Sequence, residues 1–280
     1  MMAKRGSETS VSPLELLRWH VEMGADELID DGPINRYAVA SKPAETVSAA
    51  APAASGSAPP EAAQKSPRQA SGSTLAPAEG ARDAIAVAAG AQSVEDLRAR
   101  LEGFEGCALK FTATNTVFAD GQPGADLMFV GEAPGVDEDR QGLPFLGASG
   151  QLLNRMLAAL GRERSSVYIT NILFWRPPGN RSPTAAETAA CLPFVRRHVE
   201  LARPKVLVFL GGSAAKTMLD RSEGIMRLRG KWFEFMSDGL DEPIPAMPTF
   251  HPAFLLRQSA QKREAWRDFL AVQEKLEELN

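Results

Sequence analysis

From about residue 93 onward the chain alternates between two hydrophobic patterns. Continuous apolar runs occupy residues 127–130, 167–172, 206–210 and 246–250. Between and after them, apolar positions recur at three- and four-residue spacing over 150–160, 185–201, 213–220 and 262–278, with a further helical stretch at 93–101. The short runs lack the apolar/polar alternation of a strand with one wet face, so they predict strands buried on both sides. Strands alternating with helices predict an α/β fold: three α/β/α layers around a central, mainly parallel four-stranded sheet.

The first third of the sequence reads differently. Ser12-Pro13 followed by Leu14, Leu16, Leu17, His20, Val21, Met23 and Gly24 predicts a capped amphipathic helix of about three turns. Leu28 and Ile29 follow in an acidic stretch. A helix this short is marginal alone, so residues 12–30 are expected to dock on the main domain or on a protein partner. Residues 41–80 contain 12 Ala, 7 Ser, 6 Pro and 3 Gly, and no aromatic residue. Such a stretch buries too little apolar surface to offset the entropy of ordering. The expected organisation is an amphipathic segment over 1–35, a flexible linker over 36–82 and a catalytic-sized domain over 83–280.

Composition narrows the class. Hydrophobic residues make up 44% of the 280, and no run approaches the length of a membrane span. The polar start lacks a secretory h-region, and two cysteines make no disulfide framework. An intracellular, cytoplasmic protein without a membrane is expected, not a secreted scaffold or fibrous repeat. The formal charge of −4 argues against a polyanionic partner, but residues 151–231 carry 14 Lys+Arg against 5 Asp+Glu. A locally basic face on a neutral body can bind nucleic acid.

In doubly covered parallel sheets, ligands bind beyond the carboxyl ends of the strands. Glu132 follows the first run, Asn171 ends the second, Gly211-Gly212-Ser213 follows the third and His251 the fourth. Each alone has a bland reading: a capping carboxylate, a turn amide, a tight helix start, a structural imidazole. Together they place a carboxylate, an amide, backbone donors and an imidazole on one edge. A nucleotide-binding module using residues 131–135 as a phosphate loop is disfavoured, because the Gly-Lys-Ser/Thr ending is missing.

Three stretches carry a specific resemblance. Gly131-Glu132-Ala133-Pro134-Gly135 with Glu138-Asp139, then 142–147 and 150–153, is similar to the first signature of family 4 uracil-DNA glycosylases. Residues 168–171, 176–181 and 191–194 resemble the second, and 251–257 resemble the third. The likeness runs from about residue 97 to 270. It implies a monofunctional repair glycosylase that flips uracil out of DNA, hydrolyses its N-glycosidic bond and leaves an abasic site. The alternative is a non-catalytic nucleic-acid-binding or replication accessory protein of the same fold.

That resemblance implies roles. Glu132 and His251 would be catalytic, His251 donating to the base O2 and Glu132 orienting water or stabilising the sugar cation. Phe145 would stack on the base, Asn171 would read its edge, and Ala133 would line the pocket. Glu138 and Asp139 are expected in a solvated acidic turn. Gly211, Gly212, Ser213 and Arg257 are candidate phosphate contacts, and Leu255 or Leu256 a wedge into the duplex. The partner implied is uracil-containing DNA, and the chain is expected to act as a monomer.

One departure stands out. Members of that family carry four cysteines holding an iron–sulfur cluster, and the matching positions here read Phe104, Cys107, Trp175 and Cys191. Cluster ligation needs all four thiolates, so no cluster and no other cofactor or metal is expected; Cys107 and Cys191 are remnants of the pattern. Zinc held by Cys107, Cys191 and His198 lacks any paired-cysteine spacing to support it.

Overall fold

The computed structural model describes residues 77–279. The amphipathic segment expected over 1–35 and most of the linker lie outside the described residues. The first helix, α1 (Pro77–Ala89), starts inside the stretch assigned to the linker, so the boundary drawn at 82 is moved toward the N-terminus. Alanine is the strongest helix former, and here Ala84 and Ala88 are buried in the core. Helix α2 (Val94–Gly103) follows, its first turn capped by the Ser93 hydroxyl accepting from Asp96 N–H.

Among the described residues the sheet has six strands, in the order β1-β3-β2-β4-β6-β5. Its interior is the parallel set read from the sequence: β2 (Leu127–Gly131), β3 (Tyr168–Asn171), β4 (Val206–Leu210) and β6 (Ile244–Thr249). Two short antiparallel strands, β1 (Asp120–Gly121) and β5 (Phe233–Phe235), flank that set and were not anticipated. Register is fixed by pairs such as Val130 with Thr170, Phe129 with Val208, and Phe209 with Pro248.

Alternate strand residues feed two cores, which is why the runs are apolar throughout. Met128, Val130, Leu207 and Phe209 face α1, α2, α5 (Ala185–Ala202) and α6 (Gly212–Leu219). Leu127, Phe129, Val206 and Val208 face the other way, toward Leu153 and Leu157 of α4 (Ala148–Ala159) and Phe269, Val272 and Leu276 of α9 (Lys262–Glu278). These are the three layers. The shorter helices α3 (Val136–Gln141), α7 (Ile225–Leu228) and α8 (Pro252–Arg257) sit at loops that follow the strands. No helix among the described residues is long and apolar enough to cross a membrane.

Candidate active site

Glu132, Ala133, Phe145, Asn171, His251 and Arg257 line one cavity of about 470 Å³ at the carboxyl edge of the sheet. They arrive from four segments: Glu132 and Ala133 after β2, Phe145 between α3 and α4, Asn171 at the end of β3, and His251 and Arg257 at the two ends of α8. The β2–β3 ladder continues one step past both strands, with Ile172 N–H donating to Gly131 O at 2.9 Å and Leu173 N–H to Glu132 O at 3.0 Å. Glu132 and Asn171 are thereby pinned by main-chain bonds. The Glu132 carboxyl is half-buried, and desolvation raises its pKa.

Phe145 sits in a left-handed backbone conformation, φ 54°, which a bulky residue adopts only when its surroundings impose it. Three contacts do so. Arg164 Nη1 donates to Phe145 O at 3.0 Å, and Nη2 to Pro144 O. Gly150 lets α4 begin against this turn, since a Cβ there would lie 1.8 Å from Phe145 O. Glu138 ties the two halves of the loop together, accepting from Gly135 N–H at 3.0 Å, Leu146 N–H at 2.8 Å and Gly147 N–H at 3.0 Å.

Glu138 is therefore not in a solvated acidic turn, and neither is Asp139. Both are more than nine-tenths buried. Asp139 accepts from Thr114 N–H at 2.8 Å, Thr114 Oγ1 at 3.1 Å and Asn115 N–H at 3.2 Å. Several backbone donors per carboxylate make such burial tolerable.

Asn171 is 1% exposed, and its Oδ1 is buried without a hydrogen-bond partner among the described residues. An unpaired buried acceptor costs about 1–3 kcal/mol, so its presence at a cavity wall points to a ligand donor. The imidazole of His251 stacks near Phe145, ring centroids 5.4 Å apart at 29°. His251 Nδ1 accepts from Ala253 N–H at 3.1 Å, capping α8. Burial lowers its pKa to about 4, with the Arg257 charge adding to the effect and Glu138 opposing it. The ring is neutral at pH 7, and with Nδ1 committed as acceptor its proton resides on Nε2.

The remaining candidates divide. Gly211 (φ 98°) backs the imidazole: a Cβ there would lie 3.1 Å from His251 Cβ. Gly211, Gly212 and Ser213 border the site behind His251 and do not line the cavity. Leu256 is 42% exposed beside the exposed Arg257, whereas Leu255 is fully buried with Leu152, Phe250 and Ala265. Leu255 is thus a core residue, which leaves Leu256 as the outward leucine of α8. Unforeseen lining comes from Ser149, Pro177, Asn180, Arg181 and Phe254. The signal was present in 176–181, whose run of Arg, Pro, Gly and Asn suits a loop that shapes a site. Arg181 is held by Glu187 through two bonds of 2.9 and 2.5 Å.

Away from the cavity, Phe104, Cys107, Trp175 and Cys191 are all buried in one apolar core. Phe104 packs on Phe194, centroids 5.0 Å apart, and Trp175 Nε1–H donates to Thr116 Oγ1 at 3.0 Å. The two thiols perturb each other: Cys191 draws the Cys107 pKa down, and Cys191 itself is pushed up by Cys107 and by burial. Two thiols beside two packed aromatic rings do not fit the four-thiolate donor set of an iron–sulfur cluster.

The profile of the uracil DNA glycosylase superfamily matches residues 118–270. Relatives include the type-4 uracil-DNA glycosylases of Archaeoglobus fulgidus (38% identical over 187 residues, 65% of this chain and 93% of the relative) and Sulfurisphaera tokodaii (36% over 187 residues, 65% and 84%). The type-4 uracil-DNA glycosylase of Thermotoga maritima is 36% identical over 170 residues, 60% of this chain and 86% of its own. With the parallel sheet, the shared carboxyl-edge cavity and these matches together, the chain belongs to the uracil DNA glycosylase superfamily.

Proposed function

We propose that this protein is a monofunctional uracil-DNA glycosylase of the type-4 branch that works without an iron–sulfur cluster. The observation that carries the reading is the unpaired Oδ1 of Asn171, buried beside the Phe145 ring in a cavity large enough for one pyrimidine. A base in a duplex must be flipped out before it can be read. Uracil stacked on Phe145 offers N3–H to that oxygen and O4 to the Asn171 amide N–H. Cytosine presents the reverse pattern and leaves buried groups unpaired, which is an effective form of rejection.

As the C1′–N1 bond breaks, its electron pair goes to the base and positive charge grows on the sugar. The Nε2–H of neutral His251 donates to O2 as that oxygen gains charge, a preorganised stabilisation. Glu132, ionised and half-buried, faces the sugar cation or orients the water that adds to C1′. The proton lost by that water ends on the carboxylate or the departing base. No lysine among the described residues lines the cavity, so this reading expects hydrolysis to leave an intact abasic strand. Arg257 and the 211–213 turn are assigned to phosphates, and Leu256 to the gap in the duplex.

The test is excision from a uracil-containing oligonucleotide, scored on a gel after alkali. The reading expects alkali-labile product from wild type and Cys107→Ala, and its loss in Glu132→Ala and His251→Ala. Binding without an alkali-labile site in the wild type refutes it in favour of an accessory DNA-binding role. Stoichiometric acid-labile sulfide in anaerobically purified protein refutes the cluster-free assignment.

A further inference from the structure

Helix α7 is too short to contribute much to the core, yet it occupies a specific place. Ile225, its first residue, packs against the small cluster under α8 that contains Leu255 and Phe254. On its other side, a Cβ at Gly212 would lie 3.5 Å from Ile225 Cβ. One side chain therefore lodges α7 between the 211–213 turn and α8, the two elements assigned to DNA above. Arg229 anchors the segment from behind, donating to Asp268 Oδ2 at 3.1 Å and Glu264 O at 2.7 Å, over the Phe250 ring.

Two adjacent residues of α7 turn outward. Met226 is 65% exposed, among the most exposed large apolar residues, and Arg227 beside it is exposed too. Arg227 has no hydrogen-bonded carboxylate among the described residues. This pairing sets a solvent-facing methionine next to a guanidinium that no side-chain hydrogen bond fixes among the described residues and whose charge adds to backbone hydrogen bonding in lowering the pKa of the Glu223 carboxyl. It suits a surface that is apolar on sugars and base edges and anionic at phosphates.

We propose that α7 is a third DNA-contacting element, with Arg227 on a backbone phosphate and Met226 against the strand flanking the flipped nucleotide. The inference rests on the glycosylase reading. Both side chains point away from the core, so their loss leaves the cavity and the fold intact.

The experiment uses the full-length protein and a duplex oligonucleotide carrying a tetrahydrofuran abasic analogue, titrated by fluorescence anisotropy over a NaCl series. Arg227→Ala is expected to weaken binding about tenfold and to reduce the slope of log K against log salt by about 1. Arg227→Lys should restore the slope. Met226→Ala should leave the slope unchanged and slow single-turnover uracil excision from duplex more than from single strands. If wild type excises uracil and both alanine variants match it in affinity, slope and rate, α7 is not a DNA contact and the inference falls alone. If wild type neither binds this DNA nor excises uracil, the glycosylase reading falls with it.

Discussion

The Asn171 amide and the Phe145 ring converge over Gly131. A Cβ at Gly131 would lie 2.3 Å from Asn171 Oδ1 and 2.6 Å from Phe145 Cζ. The last residue of β2 thus backs two side chains of the cavity wall, and hydrogen is the only side chain that fits there. Gly131→Ala should displace the amide or the ring by several tenths of an ångström or more and cut single-turnover excision about 100-fold. Binding to abasic duplex should persist, because the residues proposed to contact phosphates do not touch Gly131. Parallel rate and anisotropy measurements check both expectations.

Adjacent leucines on α8 should behave oppositely. Leu255 is fully buried, and Leu255→Ala is expected to cost about 2–5 kcal/mol in urea unfolding. Leu256 faces solvent, and Leu256→Ala should stay within about 0.5 kcal/mol of wild type. If Leu256 fills the gap left by the flipped base, its loss slows excision from duplex while single-stranded substrate is cleaved nearly as before.

The acid limb of the rate profile should belong to Glu132. Desolvation raises its pKa above the ordinary carboxylate value, while burial lowers His251 to about 4. Falling pH therefore protonates Glu132 before His251, and the active pair is a carboxylate with a neutral imidazole. kcat/KM measured from pH 8 to 4 should fall through the raised carboxyl pKa. Glu132→Gln should lower the plateau and abolish that limb, whereas His251→Gln should lower the plateau and keep it.

Stability should also decline in acid, through a residue remote from the site. His198 is fully buried, shares a 2.7 Å hydrogen bond with the Tyr168 hydroxyl, and has its pKa lowered to about 3 by desolvation. Below about pH 6.5 the unfolded chain takes up a proton that the native state refuses. The native state therefore loses stability as pH falls from about 6.5 toward 3, by roughly 2 kcal/mol between pH 6.5 and 5. Replacing both partners, His198→Leu with Tyr168→Phe, leaves no orphan donor and should flatten this part of the profile in urea titrations.

Much of the architecture was legible because its signals were long or doubly buried. The four interior strands and α9 (Lys262–Glu278) read directly from apolar runs and helical spacing. Strands β1 and β5 span two and three residues, too few for any periodicity. Helix α1 was hidden by composition: an Ala-rich segment carries little apolar area per residue, yet small side chains let a helix approach a neighbour closely.

At the site, Glu132, Asn171 and His251 line one cavity at the ends of their strands, Phe145 joins them where only the family resemblance had put it, and the 211–213 turn expected on the same edge does not line it. The buried carboxylates Glu138 and Asp139 were misread because their partners are backbone N–H groups from distant loops, which no local pattern announces. The two leucines of α8 differ by one helical step of about 100°, finer than a six-residue stretch can phase.

Because Glu132, Asn171 and His251 hang from the ends of β2, β3 and β6, fraying of β5 leaves the pocket standing, whereas β1 holds Arg164 through Asp120 and so supports the Phe145 turn. Partial unfolding at the β5 margin should then leave activity intact, whereas loosening of β1 should inactivate before the domain as a whole melts.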